Sequence, residues 1–427
     1  MKLAIAGTGY VGLVTAVCMA EKGHYVTCVD INREIINTLN QGRSPIFEKD
    51  LEALMLKNKD RIVYTTDYKK AYKDAEIIFI GVGTPEKKDG SANLSYVYSV
   101  VDQIAETVEN NCVVVVKSTV PIGTNDKVEK RLNENKKNNV KIDVVSNPEF
   151  LAQGTAVKDT LCASRIVIGS ESKHAEERML KVYENFDAPI VTTNRRSAEM
   201  VKYASNDFLA LKISYINEIA NLCEEVGANI DDVVKGMGYD PRIGDKFLKP
   251  GIGYGGSCFP KDTKALHWLS NFHDHELKTV KAAIEVNEQQ KLRLIKKSRK
   301  YYDSFEGLTV AVLGLTFKPG TDDLREAPSL VNVPIFLEDG AKVKAWDPVG
   351  VPNFKKFYPT EIQYCQTIDE TITDADICFI FTEWDEIKSY NVEKFEKLMK
   401  NSIVLDGRNC LENNNIPIIG IGKNENN

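Results

Sequence analysis

The stretch KLAIAGTGYVG at residues 2–12 decides the fold of the N-terminal part of this chain. Residues 2–6 predict a buried strand, since residues 3–6 are apolar, and a helix is expected over about residues 11–22. The segment YVTCVD that follows predicts a second strand, which ends at Asp30. A strand, a glycine turn, a helix and an acid at the end of the next strand form the context that a dinucleotide fingerprint requires.

The glycine turn carries the spacing G-x-G-x-x-G, with Gly7, Gly9 and Gly12 enclosing Tyr10 and Val11. Glycines let the backbone approach a pyrophosphate, which binds at the N-terminus of the helix. A carboxylate at Asp30 would accept hydrogen bonds from the adenosine ribose and repel a 2′-phosphate, which favours NAD over NADP. The alternative is a tight turn that binds no ligand.

Further apolar runs lie in AEIIFIGVGTP (75–85), CVVVVKSTVPIGT (112–124) and IDVVSNPEF (142–150). Helical stretches separate them, and this alternation predicts a parallel, doubly wound sheet. Ligands bind such sheets beyond the carboxyl ends of the strands. Three polar residues follow strand ends there: Thr84, Thr119 and Glu149. Glu149 could serve as a general base or hold a water, and a helix-capping role is the alternative.

A long helix is expected from Ser197 to Val226, because this segment lacks Gly and Pro and Gly227 follows it. Apolar residues crowd more than one of its faces, which predicts burial on several sides. More helix is expected to about residue 300. The alternation of strand-like apolar runs with other segments returns after residue 308 and predicts a second, smaller sheet. The apolar runs lie in LTVAVLGLTFKPGTDD, AKVKAWDP, ADICFIFTEW and SIVLDGRN.

The predicted fold class is therefore α/β. Two Rossmann-like, doubly wound parallel-sheet domains are joined by a central helical domain that contains the one long helix. The expected domains cover residues 1–195, 196–300 and 301–427, and the last residues, KNENN, are expected to form a frayed tail.

Composition excludes several classes of protein. The net charge of -6 gives no reason to expect a nucleic-acid partner, and no run of about 18 apolar residues predicts a membrane span. Glycines interrupt the apolar N-terminal segment, so we do not expect an export signal. The nine cysteines contain no C-x-x-C pair, which favours free thiols in the cytoplasm. The five histidines have no metal-ligand spacing, and no metal site is expected.

A second glycine-rich segment, GIGYGGSCFPKD at residues 251–262, surrounds Cys258. Its glycines suit a backbone that wraps closely around a ligand. Pro260 fits the first turn of a helix, which would place Cys258 just before a helix N-terminus with Lys261 nearby. Both features lower the pKa of a thiol and favour a nucleophilic thiolate. A buried structural cysteine in a glycine turn is the alternative.

Two sets of polar residues complete the candidates. Lys202 and Asn206 are four residues apart on the long helix and so share a face, where they could stabilise an oxyanion and orient a hydroxyl. A solvated helix face is the alternative. Four cations lie in turns and could contact phosphates, or could be ordinary surface charges: Arg242, Lys318, Arg325 and Arg408.

Together these segments resemble the UDP-glucose 6-dehydrogenase family, within the UDP-glucose/GDP-mannose dehydrogenases. The resemblance extends over nearly the whole chain, in the order AGTGYVG, VGTP, STVPIGT, NPEFLAQG, KYASN, YDPRIGDKFLKPGIGYGGSCFPKD, FKPGTDDLREAPS and LDGRN. One departure concerns Ala152 and Gln153, since many bacterial members read NPEFLREG at that place. The contacts of this loop with NAD or substrate are therefore open.

The resemblance implies a homodimer that uses NAD to oxidise UDP-glucose twice, to UDP-glucuronate. It implies that the N-terminal domain holds NAD, that the long helix makes the dimer, and that the C-terminal domain holds the UDP portion. The C6 alcohol becomes an aldehyde, Cys258 captures it as a thiohemiacetal, and a second oxidation leaves a thioester that water hydrolyses.

The resemblance also implies roles for single residues. Lys202 would stabilise the oxyanion, Asn206 and Asp262 would hold the water or sugar oxygen, and Thr119 and Glu149 would serve hydrolysis. Cofactor contacts are expected from Gly7, Gly9, Tyr10, Val11, Gly12, Asp30, Thr84, Thr119, Lys261 and Arg325. Substrate contacts are expected from Glu149, Phe150, Leu151, Lys202, Asn206, Arg242, Phe247, Leu248, Lys249, Gly251, Gly255, Lys318 and Arg408.

Three alternatives remain at this point. A sister dehydrogenase of UDP-N-acetylmannosamine or GDP-mannose would share Cys258 and the mechanism. A two-electron hydroxy-acid or acyl-CoA dehydrogenase would need neither a nucleophilic cysteine nor a second nucleotide-type domain. A non-enzymatic NAD-binding scaffold would bind NAD without turnover, and the change Cys258→Ala would then have no effect.

Overall fold

The segment KLAIA forms strand β1, Lys2–Ala6, and the glycine turn after it leads into helix α1, Tyr10–Glu21. The computed structural model describes residues 1–412, 416 and 418–423, so most of the predicted C-terminal tail lies outside the described residues. The chain divides into two units, Met1–Ser205 and Asn206–Asn427. The helical segment after Ser205 thus belongs to the same unit as the second sheet.

The first unit contains an eight-stranded sheet in the order β3-β2-β1-β4-β5-β6-β7-β8. The first six positions have the doubly wound arrangement, in which the strand order reverses between β1 and β4. After β1 the strands are β2 (Tyr25–Val29), β3 (Ile62–Thr65), β4 (Ile77–Ile80), β5 (Cys112–Val116), β6 (Ile142–Ser146), β7 (Ile166–Ser170) and β8 (Ile190–Thr193). The α/β class and the doubly wound sheet are therefore confirmed.

Strands β6 and β7 pair antiparallel, whereas the other neighbours in this sheet pair parallel. The sequence pattern did not predict β3, β7 or β8. Strands β3 and β8 lie at the two edges of the sheet and are partly exposed, so they lack the continuous apolar run of a strand buried on both faces. Strand β7 differs, because it is largely buried and begins with the short apolar run at residues 166–168.

The core of the first unit explains why the central strands are so apolar. All residues of β4 and β5 are buried. Alternate residues of β4 enter opposite clusters, since Ile77 and Phe79 pack on one face of the sheet and Ile78 and Ile80 on the other. The helices that cover these faces are α1, α2 (Arg33–Asn40), α3 (Leu51–Lys57), α4 (Tyr68–Lys73), α5 (Ser95–Thr107), α6 (Thr124–Asn135), α7 (Ala156–Leu161) and α8 (Lys173–Val182).

The predicted long helix is α9, Arg195–Val226, with 32 residues. It begins two residues earlier than expected, and Gly227 follows it with a positive φ of 75°, which suits the C-terminal stop. The expectation that it is buried on several sides is wrong for part of its length. Several large apolar side chains of α9 are exposed in this single chain: Phe208, Tyr215, Leu222 and Val226.

The second unit contains a six-stranded parallel sheet in the order β11-β10-β9-β12-β13-β14, which repeats the doubly wound arrangement. The predicted second sheet is confirmed. Its strands are β9 (Thr309–Leu313), β10 (Lys342–Trp346), β11 (Ile362–Tyr364), β12 (Ile377–Ile380), β13 (Val404–Asp406) and β14 (Ile418–Ile419).

Helices of the second unit precede the sheet and also cover it. They are α10 (Ile230–Gly238), α11 (Phe259–Phe272), α12 (Lys278–Gln290), α13 (Arg293–Ser298), α14 (Pro328–Glu338), α15 (Val351–Phe354), α16 (Ile368–Ile372), α17 (Asp385–Lys388) and α18 (Glu393–Leu398). Within the described ranges, no helix is both long and apolar enough to cross a membrane.

Candidate active site

The three fingerprint glycines differ in whether the surrounding structure leaves room for a side chain. A Cβ on Gly7, which has a φ of 94°, would lie 2.9 Å from the carbonyl oxygen of Gly81. A Cβ on Gly12 would lie 2.0 Å from the carbonyl oxygen of Gly7. A Cβ on Gly9 would meet nothing within 4 Å. Gly7 and Gly12 are therefore required by packing of the turn itself, whereas Gly9 faces open space.

Asp30 lies at the end of β2, beside this turn. Its Oδ2 accepts hydrogen bonds from the backbone N–H of Thr8 at 2.9 Å and from its hydroxyl at 2.7 Å. Its Oδ1 accepts from the N–H of Asn32 at 3.0 Å. The carboxylate is thus fixed in place but only half-buried, and it retains acceptor capacity for a ligand.

The residues of this turn fit a dinucleotide. They line a cleft with an empty volume of about 710 Å³, whose walls include Gly9, Asp30, Gly81 and Gly83. Helix α1 begins after Gly9 without a side-chain cap from the described residues, so the amides of its first turn can meet an anion. Tyr10 and Val11 begin α1, and the Tyr10 hydroxyl donates to the carbonyl oxygen of Phe47.

The loops after β4 and β5 come together. The hydroxyl of Thr84 donates to the carbonyl oxygen of Thr119 at 2.9 Å, and the hydroxyl of Ser118 donates to the carbonyl oxygen of Val82 at 2.6 Å. Thr84 is buried and Thr119 is half-buried. Two residues predicted from strand ends therefore lie in contact at the carboxyl edge of the first sheet.

A buried ion pair occupies the same unit. The Nζ of Lys202 lies 2.9 Å from the Oε1 of Glu149, and their side chains are 3% and 6% exposed. The Oε2 of Glu149 accepts from the N–H of Leu151 at 2.7 Å. Lys202 also lies 5.5 Å from the ring centre of Phe150. Because Glu149 contacts Lys202 and a loop amide, the helix-capping alternative for it is wrong.

Sequence reasoning missed Lys117, which directly follows the all-apolar strand β5. Its Nζ donates to the Oδ1 of Asn147 at 3.1 Å and to the hydroxyl of Tyr183 at 3.5 Å. Burial, with a smaller contribution from the charge of Lys202, lowers the pKa of Lys117 to about 8, against the attraction of Glu149. The sequence feature that could have identified Lys117 is a charged residue directly after an all-apolar strand.

In the second unit, Cys258 occupies the N-cap position of α11, with Pro260 in the first turn as predicted. Its side chain is half-buried, and its Sγ lies 3.8 Å from the hydroxyl oxygen of Ser257. Cys18 and Cys112 differ, because burial raises the pKa of each thiol to about 12. The alternative of a buried structural cysteine therefore does not describe Cys258.

Asp262 lies one turn into α11 and is 1% exposed. Its Oδ2 accepts from the Nδ2 of Asn206 at 2.6 Å, and its Oδ1 accepts from the Nζ of Lys261 at 2.5 Å. Three residues predicted for the site are thus joined by hydrogen bonds within one unit. Lys202 and Asn206 both lie on α9, and neither occupies a solvated helix face, since they are 3% and 7% exposed.

The glycine loop before Cys258 is held by amide side chains. Asn217 accepts from the N–H of Gly251 at 2.9 Å, and Gln290 donates to its carbonyl oxygen at 2.8 Å. Asn287 accepts from the N–H of Tyr254 at 2.8 Å and donates to its carbonyl oxygen at 3.1 Å. No local sequence signal identifies these three residues, because each contacts the loop from a helix that is distant in the chain.

The glycines of this loop are required by the protein itself. A Cβ on Gly255 would lie 2.4 Å from the carbonyl oxygen of Glu326, and one on Gly256 would lie 2.7 Å from the ring of Phe317. The expected close wrapping around a ligand stays a prediction, and packing within the protein is a separate reason for these glycines. The glycines let the loop pack against the turn that follows β9.

The four predicted cations differ in their surroundings. Arg408 donates to the carbonyl oxygens of Phe381 at 2.7 Å, Gly253 at 3.1 Å and Phe317 at 2.9 Å, so it ties the glycine loop to the second sheet. Arg242 and Arg325 are exposed, and each pairs with an aspartate two residues earlier in the chain. Lys318 is half-buried, with its Nζ 5.5 Å from the ring centre of Phe317.

The remaining predicted substrate residues surround the start of α11. Phe247 has a positive φ of 63°, and its ring centre lies 6.3 Å from that of Phe259 in an edge-to-face arrangement. Leu248 is buried and Lys249 is exposed. An exposed aromatic ring and a lysine beside a fixed loop offer an apolar face and a charge to a ligand.

Three family models match the chain. They are described as the NAD binding domain, the central domain and the UDP binding domain of the UDP-glucose/GDP-mannose dehydrogenase family, at residues 1–187, 196–289 and 311–413. Together they match more than half of the chain. The chain belongs to the UDP-glucose/GDP-mannose dehydrogenase family. The predicted cofactor, NAD, and the predicted NAD-dependent dehydrogenase class are confirmed.

Individual members of this family are similar over nearly their full length. A UDP-glucose 6-dehydrogenase of Bacillus subtilis is 47% identical, covering 96% of this chain and 94% of that protein. One of Rhizobium meliloti is 43% identical, covering 96% and 95%. The solved UDP-glucose dehydrogenase of Pyrobaculum islandicum has a TM-score of 0.91 at 36% identity, covering 95% and 94%.

Members with other substrates share the fold. The UDP-N-acetyl-mannosamine dehydrogenase Cap5O of Staphylococcus aureus has a TM-score of 0.82 at 25% identity, covering 100% of this chain and 98% of that one. Identity is thus lower to this member than to the UDP-glucose dehydrogenases named above.

Proposed function

We propose that the protein is an NAD-dependent UDP-glucose 6-dehydrogenase that converts UDP-glucose to UDP-glucuronate through a covalent intermediate on Cys258. The observation that carries the proposal is the half-buried thiol of Cys258 at the N-terminus of α11. A simple two-electron dehydrogenase has no use for such a nucleophile. A scaffold that only binds NAD has no use for the buried polar groups that accompany it.

NAD supplies the hydride acceptor for both oxidations. In the first, the C6 alcohol loses a hydride and a proton and becomes an aldehyde. The thiolate of Cys258 then forms a C–S bond to the aldehyde carbon, and the oxygen takes up a proton to give a thiohemiacetal. Covalent capture keeps the reactive aldehyde from leaving.

In the second oxidation the thiohemiacetal carbon loses a hydride and its hydroxyl loses a proton, which leaves a thioester. Water then adds to the carbonyl carbon, the C–S bond breaks, and the products are the carboxylate, the thiol of Cys258 and one proton that is released. Each step leaves or passes through an oxygen with negative charge, so the protein must supply a nearby positive charge or hydrogen-bond donor.

Buried polar groups suit these demands. Lys202 would stabilise the oxyanion, and its buried partner Glu149, with Thr119, would serve the attacking water. Asn206 and Asp262, which are joined by a hydrogen bond of 2.6 Å, would hold the sugar oxygen or the water. These charges lie in low-dielectric surroundings, where electrostatic interactions are stronger than in water.

Substrate recognition would use the second sheet and the glycine loop. Lys318 would contact the nucleotide sugar, and Arg325 would approach the cofactor. Residues 247–251 and Gly255 would line the UDP-sugar cleft, where Arg408 fixes the backbone rather than offering all its donors to phosphate. Arg242, which is exposed and paired with Asp240, would reach the substrate of a partner subunit.

We propose a homodimer formed through α9. Phe208, Tyr215 and Leu222 are exposed and recur every seven residues, so they form one apolar stripe along the helix. An exposed apolar stripe on a helix suits packing against a second helix. The test is the molar mass in solution by sedimentation equilibrium, where the mass of a single chain would contradict the dimer. The nine free cysteines also support a cytoplasmic location.

The test of the substrate is turnover of purified protein with NAD and three nucleotide sugars offered separately. We expect NADH from UDP-glucose and little from UDP-N-acetylmannosamine or GDP-mannose, because the chain is more similar in sequence to the UDP-glucose dehydrogenases named above than to the UDP-N-acetyl-mannosamine dehydrogenase. Turnover of either other sugar in place of UDP-glucose would keep the mechanism and assign the chain to a sister enzyme.

A further inference from the structure

Asp207 follows Asn206 on α9 and is 5% exposed. Neither of its carboxyl oxygens has a hydrogen-bond partner among the described residues, although both are buried. An ionised carboxylate in such a place would lose its hydration without any compensating donor, at a large cost in free energy. The geometry therefore favours a carboxylic acid at Asp207.

The charged and titratable groups around Asp207 belong to its own unit. Asp262 faces it from α11 and is itself bound to Asn206 and Lys261. Tyr254 faces it from the glycine loop, and Glu288 faces Tyr254 from α12. Lys261 is thus bound to Asp262, and no cation is bound to Asp207 among the described residues. The neighbouring carboxyl group makes ionisation of Asp207 more costly still, because two like charges would then lie near each other.

We propose that Asp207 and Asp262 form a buried carboxyl pair in which Asp207 keeps its proton at neutral pH, and that Asp207 is hence a positioning residue for Asp262. The part concerning Asp262 rests on the proposed function. The carboxyl group of Asp262 has both a cation and an amide donor. Asp207 has neither among the described residues, so it keeps the proton.

The titration of the pair agrees with this geometry. Burial, with a contribution from Asp262, raises the pKa of Asp207 to about 8. Above that pH a second negative charge develops beside the hydrogen bond that joins Asn206 to Asp262. The site must stabilise a negative charge on the substrate oxygen, so this added charge opposes turnover.

The test compares Asp207→Asn, which keeps the shape of the protonated acid but cannot ionise, with the wild type. The unfolded chain loses the proton of Asp207 near pH 4, whereas the folded chain keeps it to about pH 8. The contribution to stability is full below pH 4 and is lost as pH rises towards 8. We therefore expect the Tm advantage of the variant to grow by about 5 °C or more from pH 5 to pH 8.

The control is Asp303→Asn, at an exposed aspartate of the same unit. Its Tm difference from the wild type should not change with pH. A pH-independent difference for Asp207→Asn, as for this control, would overturn the protonated state of Asp207. Should Asp207→Asn fail to fold, infrared spectra of the wild type decide, because a buried carboxylic acid band must vanish as pH rises past about 8. Absence of that band at neutral pH would also overturn the pair.

The positioning role has its own readout. We expect kcat of the wild type to fall above about pH 8 and kcat of Asp207→Asn to lack this alkaline fall. Identical pH profiles would overturn the positioning role. If no nucleotide sugar is turned over, the proposed function fails, while the Tm and infrared measurements still decide whether the carboxyl pair exists.

Discussion

The six strands of the second sheet have the same order as the first six positions of the first sheet, but the acid after the second strand of each sheet has a different task. Asp30 follows β2, is half-buried and accepts from Thr8 and Asn32. Asp347 follows β10 and is 5% exposed. Its carboxylate accepts from the indole of Trp384 at 3.0 Å and from the protein N–H and hydroxyl donors of Leu315, Thr316, Val349 and Gly350.

The difference teaches that strand order does not specify the ligand. In the first sheet, the carboxylate keeps acceptor capacity beside a cleft, as an NAD ribose requires. In the second sheet, hydrogen-bond donors of the protein itself occupy the carboxylate of Asp347. In addition, the helix that follows β9, α14, begins only at Pro328, well after the end of that strand. The second sheet therefore lacks the dinucleotide arrangement, which agrees with its match to a UDP binding domain.

The largest effect is expected at Gly12. The change Gly12→Ala places a Cβ 2.0 Å from a backbone oxygen, which cannot be relieved by a side-chain movement, so the first unit should lose about 3 kcal/mol or more of stability or fail to fold. The matched control, Gly9→Ala, should change stability by less than about 1 kcal/mol and mainly weaken NAD binding. Thermal unfolding and NAD titration measure both, and equal Tm losses would contradict the distinction between the two glycines.

The next effect separates the two acids. Asp347→Ala leaves several buried donors without an acceptor and should cost about 3 kcal/mol of stability, with no direct effect on the affinity for NAD. Asp30→Ala should cost about 1 kcal/mol of stability but raise the Kd for NAD by about 10- to 100-fold, with better use of NADP. A loss of NAD affinity in Asp347→Ala with no loss of Tm would contradict the different roles assigned to the two acids.

The smallest effect concerns the cation after the fifth strand of each sheet, Lys117 and Arg408. Arg408 donates to three carbonyl oxygens, whereas Lys117 is buried with a pKa lowered to about 8 by burial. Between about pH 8 and pH 10 the unfolded chain still holds the Lys117 proton and the folded chain does not, so stability gains up to about 3 kcal/mol with rising pH. Lys117→Met should lack this gain, and denaturant unfolding across that range measures it. An equal gain in the variant would contradict the assigned pKa.

Much of this comparison could be predicted from the sequence. The fingerprint glycines, Asp30, the long helix and Cys258 are local signals, and each lies where its segment predicts. The hydrogen bonds that occupy the carboxylate of Asp347 could not be predicted, because one donor, Trp384, is 37 residues away in the sequence. The same holds for Arg408, Lys117 and Asp207, because their surroundings among the described residues depend on packing between distant segments. The antiparallel pairing of β6 and β7 also left no local signal.

The central claim is that one sugar is oxidised twice on Cys258. The most direct measurement counts NADH formed per UDP-glucose consumed, for the wild type and for Cys258→Ser. The account predicts two NADH per sugar for the wild type. In the variant, we expect turnover to stall, since an alkoxide is harder to form and a poorer leaving group than a thiolate. One NADH per sugar in the wild type, or an unchanged rate in Cys258→Ser, would contradict it.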